Sequence, residues 1–395
     1  MDDRYTFTGN TDCQEVTMKK TLYRYAAALT SALALAVNTA PLPADALHGE
    51  IPAGWLLWHS YSDYSAMDST LFLRTPEGSI SEISGSFVHP MNGCFGTSPD
   101  SIAFMAIDTA ANEWDIYLYD AQNGTAENLT ERSGYRNEDP KWSPDGQSIV
   151  FKRGHWDHSI DGFRYDLAVL DLASREVTML TDDIAEEAMP CYSPDGESIY
   201  YASYTDGIGS ICRLELSSGV TETVYGEDGV NAYYPVCSDS EVYFTKWLSA
   251  DNRCDQLMKL GNDGAERLPF NSDSCDCSDA CPTGDSTMIY SSTASGSYDL
   301  YYFDGESSYR LDELSSGRNN LGAAFFPVTA RSGSFIPGDV NSDGEFNVAD
   351  AVSLRNWLLA EPGSSLSDWE AGDFFADGRI DTFDLCFMRD RLINI

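Results

Sequence analysis

The sequence predicts a mainly β protein, in which a six-bladed β-propeller is followed by a small α-helical module with two EF-hand-like calcium loops. Two observations carry this prediction. A unit of roughly 45 to 50 residues recurs through the middle of the chain. A twelve-residue pattern of oxygen-bearing side chains then occurs twice near the C-terminus. With 395 residues, of which 42% are hydrophobic, the chain has room for two or three domains and a sizeable core.

Residues 18–46 have the pattern of a secretory signal peptide. A basic start is followed by an apolar stretch at residues 26–37 and by an Ala-Asp-Ala cleavage motif at residues 44–46. Residues 1–17 are polar and acidic, which does not suit the start of a signal peptide. We therefore expect translation to begin at Met18 and the mature protein to begin just after the cleavage motif, outside the cell.

The chain carries a formal net charge of -39, from 63 acidic and 24 basic residues. This charge would repel the phosphates of nucleic acids and the anionic surface of a membrane. We therefore expect neither nucleic acid nor a membrane as a partner. The balance is typical of a soluble secreted protein, and part of the acidic excess belongs to the predicted calcium loops.

Two long copies of the repeat fix its register. Residues 139–146 read Asp-Pro-Lys-Trp-Ser-Pro-Asp-Gly and residues 189–196 read Met-Pro-Cys-Tyr-Ser-Pro-Asp-Gly, and each copy precedes an apolar strand. In the turn, proline presets the first backbone angle and glycine takes a positive φ. The prolines that lead the units stand at positions 90, 140, 190, 235, 282 and 327. Four short strands in each unit of this length predict a blade of a β-propeller.

The two ends of the repeat region predict how the ring closes. Residues 55–84 contain three strand patterns without a leading strand, and residues 321–329 contain a leading strand with no blade after it. Together they make one blade, which closes the ring and removes the exposed sheet edges. Five whole blades and this composite blade give six.

The Pro-x-Trp-Ser-Pro-Asp-Gly sequence at residues 140–146 resembles the TolB-type propeller repeat. The resemblance covers roughly residues 51–331, and we assign residues 47–331 to the propeller and 332–337 to a linker. It implies the fold and leaves the activity open, because this propeller occurs in translocation proteins, peptidases and sugar lyases. We do not expect a serine peptidase, since such an enzyme needs an α/β-hydrolase domain with a G-x-S-x-G turn, and only the linker and the C-terminal module follow the propeller here.

The first acidic loop matches a twelve-residue calcium loop. The predicted ligands are Asp339, Asn341, Asp343, Glu345 through its backbone carbonyl, Asn347 and Asp350. Gly344 stands at the sixth position, where the loop turns sharply. Hard oxygen ligands at this spacing suit Ca²⁺.

The pattern returns in a second loop thirty-four residues further on. Its predicted ligand positions are Asp373, Asp377, Arg379 at the backbone-carbonyl position, Asp381 and Asp384. Phe375 occupies the third position, where an oxygen ligand belongs. We therefore expect two Ca²⁺ sites, of which the second binds more weakly.

One helix is predicted after each loop, over residues 351–360 and 385–393. The apolar positions of the two helices match in pairs, Val352 with Cys386, Leu354 with Met388, and Leu358 with Leu392. Because these positions recur at helical spacing, the two helices are expected to pack on each other.

A duplicated loop–helix unit without the entering helix of an ordinary EF-hand resembles a type I dockerin domain, over residues 338–395. In that family each half binds one Ca²⁺, and the domain docks onto a cohesin domain of a cellulosome scaffoldin. The resemblance implies that the partner is contacted by Val348, Ala349, Arg355 and Asn356 in the first half and by Thr382, Phe383, Arg389 and Asp390 in the second half. The two sets differ in chemistry, so we expect one face to bind the cohesin; ordinary solvent-facing helix residues are the alternative.

A ligand site on the propeller is expected where the chain enters each leading strand, at the mouth of the central channel. The candidate residues are His89, Asn137, Glu138, Asp139, Glu187, Tyr233, Tyr234, Asp279, Phe325 and Phe326. Aromatic rings stack on sugar rings, and carboxylates bond to hydroxyl groups. The alternative is that these residues only pack the blades together.

The sequence therefore predicts a secreted cellulosome component whose dockerin delivers a non-catalytic propeller, binding glycan or protein, to a polysaccharide-degrading complex. Plant polysaccharide is the expected ligand class. The alternative is a polysaccharide lyase or glycoside hydrolase with its site at the channel mouth, for which no catalytic residue is assigned. A cysteine cluster at Cys275, Cys277 and Cys281 leaves a metal site, a disulfide and free thiols all open.

Overall fold

A computed structural model describes residues 51–83, 85–110, 112–238, 241–261, 264–284, 286–328, 337–341, 343–361, 364–367, 369–374 and 379–393. They form two compact units that divide after Val328. The predicted signal peptide at residues 18–46 and most of the predicted linker lie outside the described residues. No helix in the described part of the chain is long and apolar enough to cross a membrane.

The first unit consists of six antiparallel sheets of four strands each. Blade 1 combines β24 (Asn319–Pro327) with β1 (Gly54–Tyr61), β2 (Thr70–Arg74) and β3 (Ile80–Ile83). Blade 2 contains β4 (Phe87–Phe95), β5 (Ser101–Asp108), β6 (Glu113–Asp120) and β7 (Thr125–Asn128). Blade 3 contains β8 (Arg136–Trp142), β9 (Ser148–Asp157), β10 (Gly162–Asp171) and β11 (Val177–Met179).

The other three blades repeat this order. Blade 4 contains β12 (Glu186–Tyr192), β13 (Ser198–Thr205), β14 (Ile208–Glu215) and β15 (Val220–Tyr225). Blade 5 contains β16 (Ala232–Ser238), β17 (Glu241–Trp247), β18 (Asp255–Gly261) and β19 (Gly264–Arg267). Blade 6 contains β20 (Cys277–Gly284), β21 (Thr287–Ser292), β22 (Asp299–Phe303) and β23 (Ser308–Arg310). The predicted six-bladed propeller is confirmed.

The ring closes through the composite blade that the sequence predicts. Strand β24 pairs antiparallel with β1, so that Leu56 lies opposite Phe325 and Leu57 lies opposite Ala324. The backbone groups of β1 are therefore bonded on both sides, and this strand presents no open edge to solvent.

The Ser-Pro-Asp-Gly turn joins the first and second strands of a blade in a fixed geometry. In blade 3 the Ser143 hydroxyl donates to Asp145 Oδ1 at 2.6 Å, and the Gly146 N–H donates to the Ser143 carbonyl at 2.9 Å. Gly146 has a φ of 69°, which a side chain would disfavour. Blade 4 repeats the hydroxyl–carboxylate bond at 2.6 Å, between Ser193 and Asp195. This local chemistry explains why the motif reports the blade register so well.

The core of the first unit lies between neighbouring blades. The second strand of four blades buries one large aromatic ring almost completely, at Phe104, Phe151, Tyr201 and Phe244. Each such ring contributes about 1.5–3 kcal/mol by leaving water. Since each of these strands packs against its neighbours in the ring, the apolar clusters are shared by adjacent blades.

The second unit contains two helices, α1 (Val348–Leu358) and α2 (Thr382–Ile393). They share an apolar cluster in which Leu354 and Met388 are fully buried. The expected packing of these two residues is therefore correct. Val352 and Cys386 are exposed instead, because both lie on the outer side of their helices.

Both helices begin three residues earlier than the sequence pattern predicts. Asn347 caps α1, since its side chain accepts the Ala349 N–H at 2.7 Å while the Asp350 carboxylate accepts the Asn347 N–H at 2.9 Å. This capping box satisfies amide groups that the first turn of a helix leaves unpaired. The predicted last ligand of the first loop thus also starts the helix.

Candidate functional site

Each of the six inner strands of the propeller contains a residue in the left-handed backbone region at one repeat position, and β4 has a second one, Asn92. The residues at the repeat position are His89, Asp139, Met189, Tyr234, Asp279 and Gly322, with φ values of 58°, 56°, 54°, 52°, 55° and 62°. In every case the strand register shifts beside the residue, which marks a β-bulge. A left-handed residue other than glycine costs about 1–3 kcal/mol and is held only where its surroundings require it. The bulges form a ring around the channel and redirect the side chains next to them.

A cavity of about 810 Å³ lies at the end of the channel where the inner strands begin. Aromatic rings line much of it, at Tyr61, Tyr64, Phe163, Tyr204, Tyr233, Tyr234 and Trp247. Six acids also line it, at Glu138, Asp139, Glu186, Asp206, Asp255 and Asp279, against two cations, Lys152 and Arg253. Its size and its mixture of apolar walls with a few polar groups suit a small-molecule or oligomer site.

The structure brings five of the ten expected channel-mouth residues to the cavity wall: Glu138, Asp139, Tyr233, Tyr234 and Asp279. The other five do not line it: His89, Asn137, Glu187, Phe325 and Phe326. Strand alternation explains the division in blade 4, where Glu186 faces the cavity and the next residue, Glu187, is buried beside blade 3.

His89 lies behind the cavity wall in an aromatic setting. Its Nδ1 accepts the Ser69 N–H at 3.0 Å, and its ring lies 5.4 Å from that of Tyr64 and 5.7 Å from that of Trp114. Burial lowers the pKa of His89 to about 4, so the ring is neutral at pH 7. Its position makes His89 a packing residue of the blade junction.

Asn137 and Glu187 also contact the neighbouring blade. The Asn137 amide donates to Asp115 Oδ1 at 3.4 Å and to Ser133 Oγ at 3.0 Å. Burial raises the pKa of Glu187 to about 7, although a hydrogen bond with Thr181 opposes that shift. Both side chains therefore serve the contact between blades.

Phe325 and Phe326, in the first strand of blade 1, pack against residues of their own blade and of the neighbouring blades. Phe326 meets Trp55 and Phe95 with ring centroids 6.0 Å and 5.7 Å away. Phe325 packs against the apolar cluster shared by blades 6 and 1. They lie several residues beyond the bulge of their strand, away from the cavity.

Lys152 is a cavity residue that the sequence reasoning missed. Its Nζ lies 3.2 Å from Glu186 Oε1, 3.7 Å from Glu138 Oε2 and 3.9 Å from the centroid of the Tyr165 ring. The side chain is almost completely buried, so the ammonium is held by two carboxylates and an aromatic face. The available signal was a lysine that directly continues an apolar strand pattern, Ile149-Val150-Phe151.

Two of the lining carboxylates have fixed polar partners. The Asn92 amide donates to Asp139 Oδ1 at 2.7 Å, and the Gly322 N–H donates to Asp279 Oδ2 at 3.0 Å. Burial raises the pKa of Asp139 and that of Asp279. These two hydrogen bonds connect the inner strands of neighbouring blades, blade 2 with blade 3 and blade 1 with blade 6.

The three cysteines that are close in sequence, Cys275, Cys277 and Cys281, do not form one cluster in the structure. Cys254 in blade 5 donates to the Cys275 carbonyl at 2.9 Å, whereas Cys281 lies in the separate cluster between blades 6 and 1. Cys191 and Cys237 of neighbouring inner strands have sulfur atoms 3.0 Å apart. Within the described residues, no three His, Cys, Asp or Glu side chains are grouped as a metal site.

In the first acidic loop, backbone amides orient two buried carboxylates. Asp350 accepts the Asn341 N–H at 3.2 Å, in addition to its bond with Asn347. Asp339 accepts the N–H groups of Asp343 at 3.1 Å and Gly344 at 2.9 Å. Gly344 has a φ of 89°, as the sharp turn requires. The donors gathered on this loop are oxygens, which is the ligand chemistry that Ca²⁺ prefers.

The second loop repeats part of this arrangement. Asp384 is buried and accepts the Phe374 N–H at 3.0 Å and the Asp381 N–H at 3.0 Å. The Phe383 N–H donates to Asp381 Oδ1 at 2.6 Å, as Ala349 does to Asn347 in the first loop. Phe375 and Asp377 lie outside the described residues, so the ligand set of this loop stays a prediction.

The expected partner-binding positions are mostly open to solvent. Val348 is 68% exposed and Phe383 is 71% exposed, at the start of α1 and of α2. Exposed residues also include Ala349, Arg355, Thr382 and Arg389, whereas Asn356 is half-buried and accepts a bond from Arg355 at 3.1 Å. Asp390 belongs to α2. Val348 corresponds to Thr382 and Ala349 to Phe383 in the duplicated unit, so each half has one large exposed apolar side chain just before its last predicted ligand.

Comparison with known proteins agrees with this division. Residues 337–393 match the family of the dockerin type I domain. The Tol-Pal system protein TolB of Hydrogenovibrio crunogenus is 33% identical over 96 residues, which cover 24% of this chain and 20% of that protein. The chain spans about half or less of the length of the first two curated relatives it matches.

Solved structures match the propeller. TolB from Acinetobacter baumannii has a TM-score of 0.54 and 20% identity, over 69% of this chain and 67% of that one. Hydrazine synthase of Kuenenia stuttgartiensis has a TM-score of 0.58 and 14% identity, over 69% of this chain and 47% of that one. At these identities the likeness concerns the fold alone. The chain therefore carries a type I dockerin domain at its C-terminus and a six-bladed β-propeller with TolB-like structural neighbours.

Proposed function

We propose that this protein is a secreted component of a polysaccharide-degrading complex, in which the dockerin binds Ca²⁺ and a scaffoldin cohesin while the propeller binds a glycan. The dockerin match, together with the oxygen-lined loop that begins it, is the observation that carries the first part. The cavity at the channel mouth supports the second part. Delivery and binding are thus assigned to separate units.

Calcium would be held in the first loop by Asp339, Asn341, Asp343, Asn347 and Asp350, with the Glu345 carbonyl as a further ligand. The ion supplies positive charge that offsets the repulsion between these carboxylates. The chain's own contribution is the amide network, which holds two of the carboxylates in place before any ion arrives. The second loop would hold its ion with fewer side-chain oxygens and lower affinity.

The cohesin would dock across the exposed starts of the two helices. Val348 and Phe383 offer apolar surface, and Arg355 and Arg389 lie further along the same helices. Central apolar contacts with a charged rim are the usual anatomy of such an interface. Because one half presents a small aliphatic group and the other a phenyl ring, one orientation of the partner is expected to be preferred.

The docking proposal is tested with the full chain and a panel of type I cohesins. Binding is expected with Ca²⁺ and should be lost on chelation. Asp350→Ala should abolish binding, whereas the matched control Glu361→Ala, an exposed acid just after α1, should leave it unchanged. Binding that persists in chelator, or that survives Asp350→Ala, would refute the calcium-dependent mechanism.

The propeller proposal is tested by incubating the full chain with a panel of plant polysaccharides. Retention on the polymer without release of reducing or unsaturated ends is the expected result. Release of such ends would instead favour the lyase or hydrolase alternative. If the chain is neither retained nor active on any polymer, the glycan-binding role is wrong and a protein-binding propeller takes its place.

A further inference from the structure

Blades 2, 3 and 6 have a large buried aromatic residue at one repeat position, in the third strand or directly before it: Trp114, Tyr165 and Tyr298. The register is fixed by the residue two positions later, whose carbonyl accepts an N–H from the leucine that ends the blade. Blade 5 has the same bond, from Leu268 to the Leu257 carbonyl. Counting back from Leu257 puts Asp255 where the other blades have an aromatic ring.

Asp255 is therefore an acid at a repeat position that holds an aromatic ring in blades 2, 3 and 6. It is 1% exposed and belongs to the cavity wall. A carboxylate is several atoms smaller than a tyrosine or tryptophan side chain, so the exchange leaves room in front of it. The space is continuous with the cavity that Asp255 lines.

Both oxygens of the Asp255 carboxylate are buried, and neither makes a well-aligned hydrogen bond. The hydroxyl groups of Tyr233 and Tyr298 lie beside it. Its cross-strand neighbour Trp247 also lines the cavity, and the Trp247 indole N–H is buried without a partner as well. Leaving a buried polar group unpaired is unfavourable, which makes such a pair a candidate for binding a ligand.

Four other acids of the cavity wall, Asp139 buried and the rest half-buried, have partners. Asp139 and Asp279 accept the hydrogen bonds described above, Glu186 pairs with Lys152 at 3.2 Å, and Glu138 pairs with Arg136 at 3.2 Å. Asp255 differs from these four acids because both of its carboxylate oxygens can still accept a well-aligned hydrogen bond from a ligand.

We propose that Asp255 binds the ammonium group of a ligand in this cavity, and that the ligand carries an oxygen atom beside the amine that accepts the Trp247 indole N–H. An amino sugar has this chemistry. The excess of acids over cations in the wall favours a positive ligand. The wall also shows how an ammonium is held here, since Lys152 sits between two carboxylates and over an aromatic ring. This inference rests on the proposed glycan-binding function and names the class of glycan.

The test is calorimetric titration of the full chain with four probes. The chitosan trimer carries free amines, the chitin trimer carries the same sugars with the amines acetylated, cellotriose is neutral, and spermidine is an amine without a sugar. The chitosan trimer is expected to bind at least tenfold more tightly than the chitin trimer or cellotriose. Equal affinity for all three sugars would overturn the amine inference and leave the glycan function standing.

Variants separate Asp255 from the rest of the protein. Asp255→Asn should reduce the affinity for the chitosan trimer to that for the chitin trimer. Asp166→Asn changes an equally buried acid outside the cavity wall and should leave both affinities unchanged. Asp255→Tyr restores the ring that other blades have; it should fold, fill the space and abolish binding. An Asp255→Asn chain that keeps the amine preference would overturn the proposal.

Spermidine separates the test of the ammonium site from the test of the glycan function. Spermidine that binds through Asp255 while no sugar binds would uphold the ammonium site and refute the glycan function. No binding by any of the four probes would overturn both.

Discussion

Gly322 lies at the sixth bulge of the inner ring, in the strand that closes the propeller, and its replacement by alanine is expected to destabilise the ring strongly. Its φ of 62° costs an alanine about 1–2 kcal/mol. A Cβ there would lie 2.5 Å from His59 Cε1 and 2.7 Å from His59 Nδ1. His59 is buried, so its ring has little room to move, and overpacking of this kind costs about 1–3 kcal/mol more.

The two terms give an expected loss of about 2–5 kcal/mol for Gly322→Ala. Gly219→Ala is the matched control, because Gly219 has a φ of 69° and nothing within 4 Å of the added Cβ. It should show the backbone term alone, about 1–2 kcal/mol. The assay is urea unfolding followed by tryptophan fluorescence, and thermal midpoints should fall by roughly 2–4 °C per kcal/mol. Equal losses for the two variants would refute the argument that His59 blocks this position.

Three further outcomes are expected. Phe375→Asn should tighten the weaker Ca²⁺ site, bringing the two calorimetric affinities closer together; an unchanged second site would contradict the assignment of Phe375 to a ligand position. A mild thiol oxidant such as diamide should form a disulfide between Cys191 and Cys237, because their sulfur atoms are 3.0 Å apart. The disulfide lacks two hydrogen atoms, which mass spectrometry of the peptides detects. If this pair stays reduced while other cysteines react, the prediction is wrong. Burial lowers the pKa of His59 to about 3 and that of His89 to about 4. The unfolded chain therefore takes up protons first, so the free energy of unfolding should fall as the pH drops from about 6.5 towards 4, by about 1.4 kcal/mol per pH unit for each histidine; replacing His89 by glutamine should flatten that slope, and an unchanged slope would show that His89 is not the group responsible.

The propeller was predictable because its signals are local. The Ser-Pro-Asp-Gly turn specifies its own hydrogen bonds, as Ser143 and Asp145 show, and its recurrence gives the period. The composite blade followed from counting strands at the two ends. The dockerin was equally readable, since the spacing of oxygen-bearing residues in its first loop lies within one short segment. The cap at Asn347 was missed, so the start of α1 was predicted three residues too late.

The cavity wall was less predictable because bulges and register decide it. Strand alternation placed Glu186 in the wall and turned Glu187 away, and the sequence alone does not locate the bulge that sets this phase. Asp255 escaped notice because its strand matches the other blades only after a shift of one residue, which the bond from Leu268 to Leu257 reveals. Lys152 lies in β9, and the two carboxylates near it come from β8, the strand before, and from β12, the first strand of the next blade. Sequence spacing does not show that these three side chains meet.

The pairing of β24 with β1 also has a consequence for the order of events during biogenesis. Leu56 and Phe325, which face each other in blade 1, are separated by nearly the whole propeller sequence. Blades 2 to 6 draw their strands from contiguous stretches of chain and can assemble as the chain emerges, whereas blade 1 waits for the last strand. Until then β1 offers an unpaired edge to any other extended chain, so a product that stops short of residue 319 would expose a standing template for aggregation. The last strand of the propeller to be synthesised is therefore also the one that removes the exposed edge of β1.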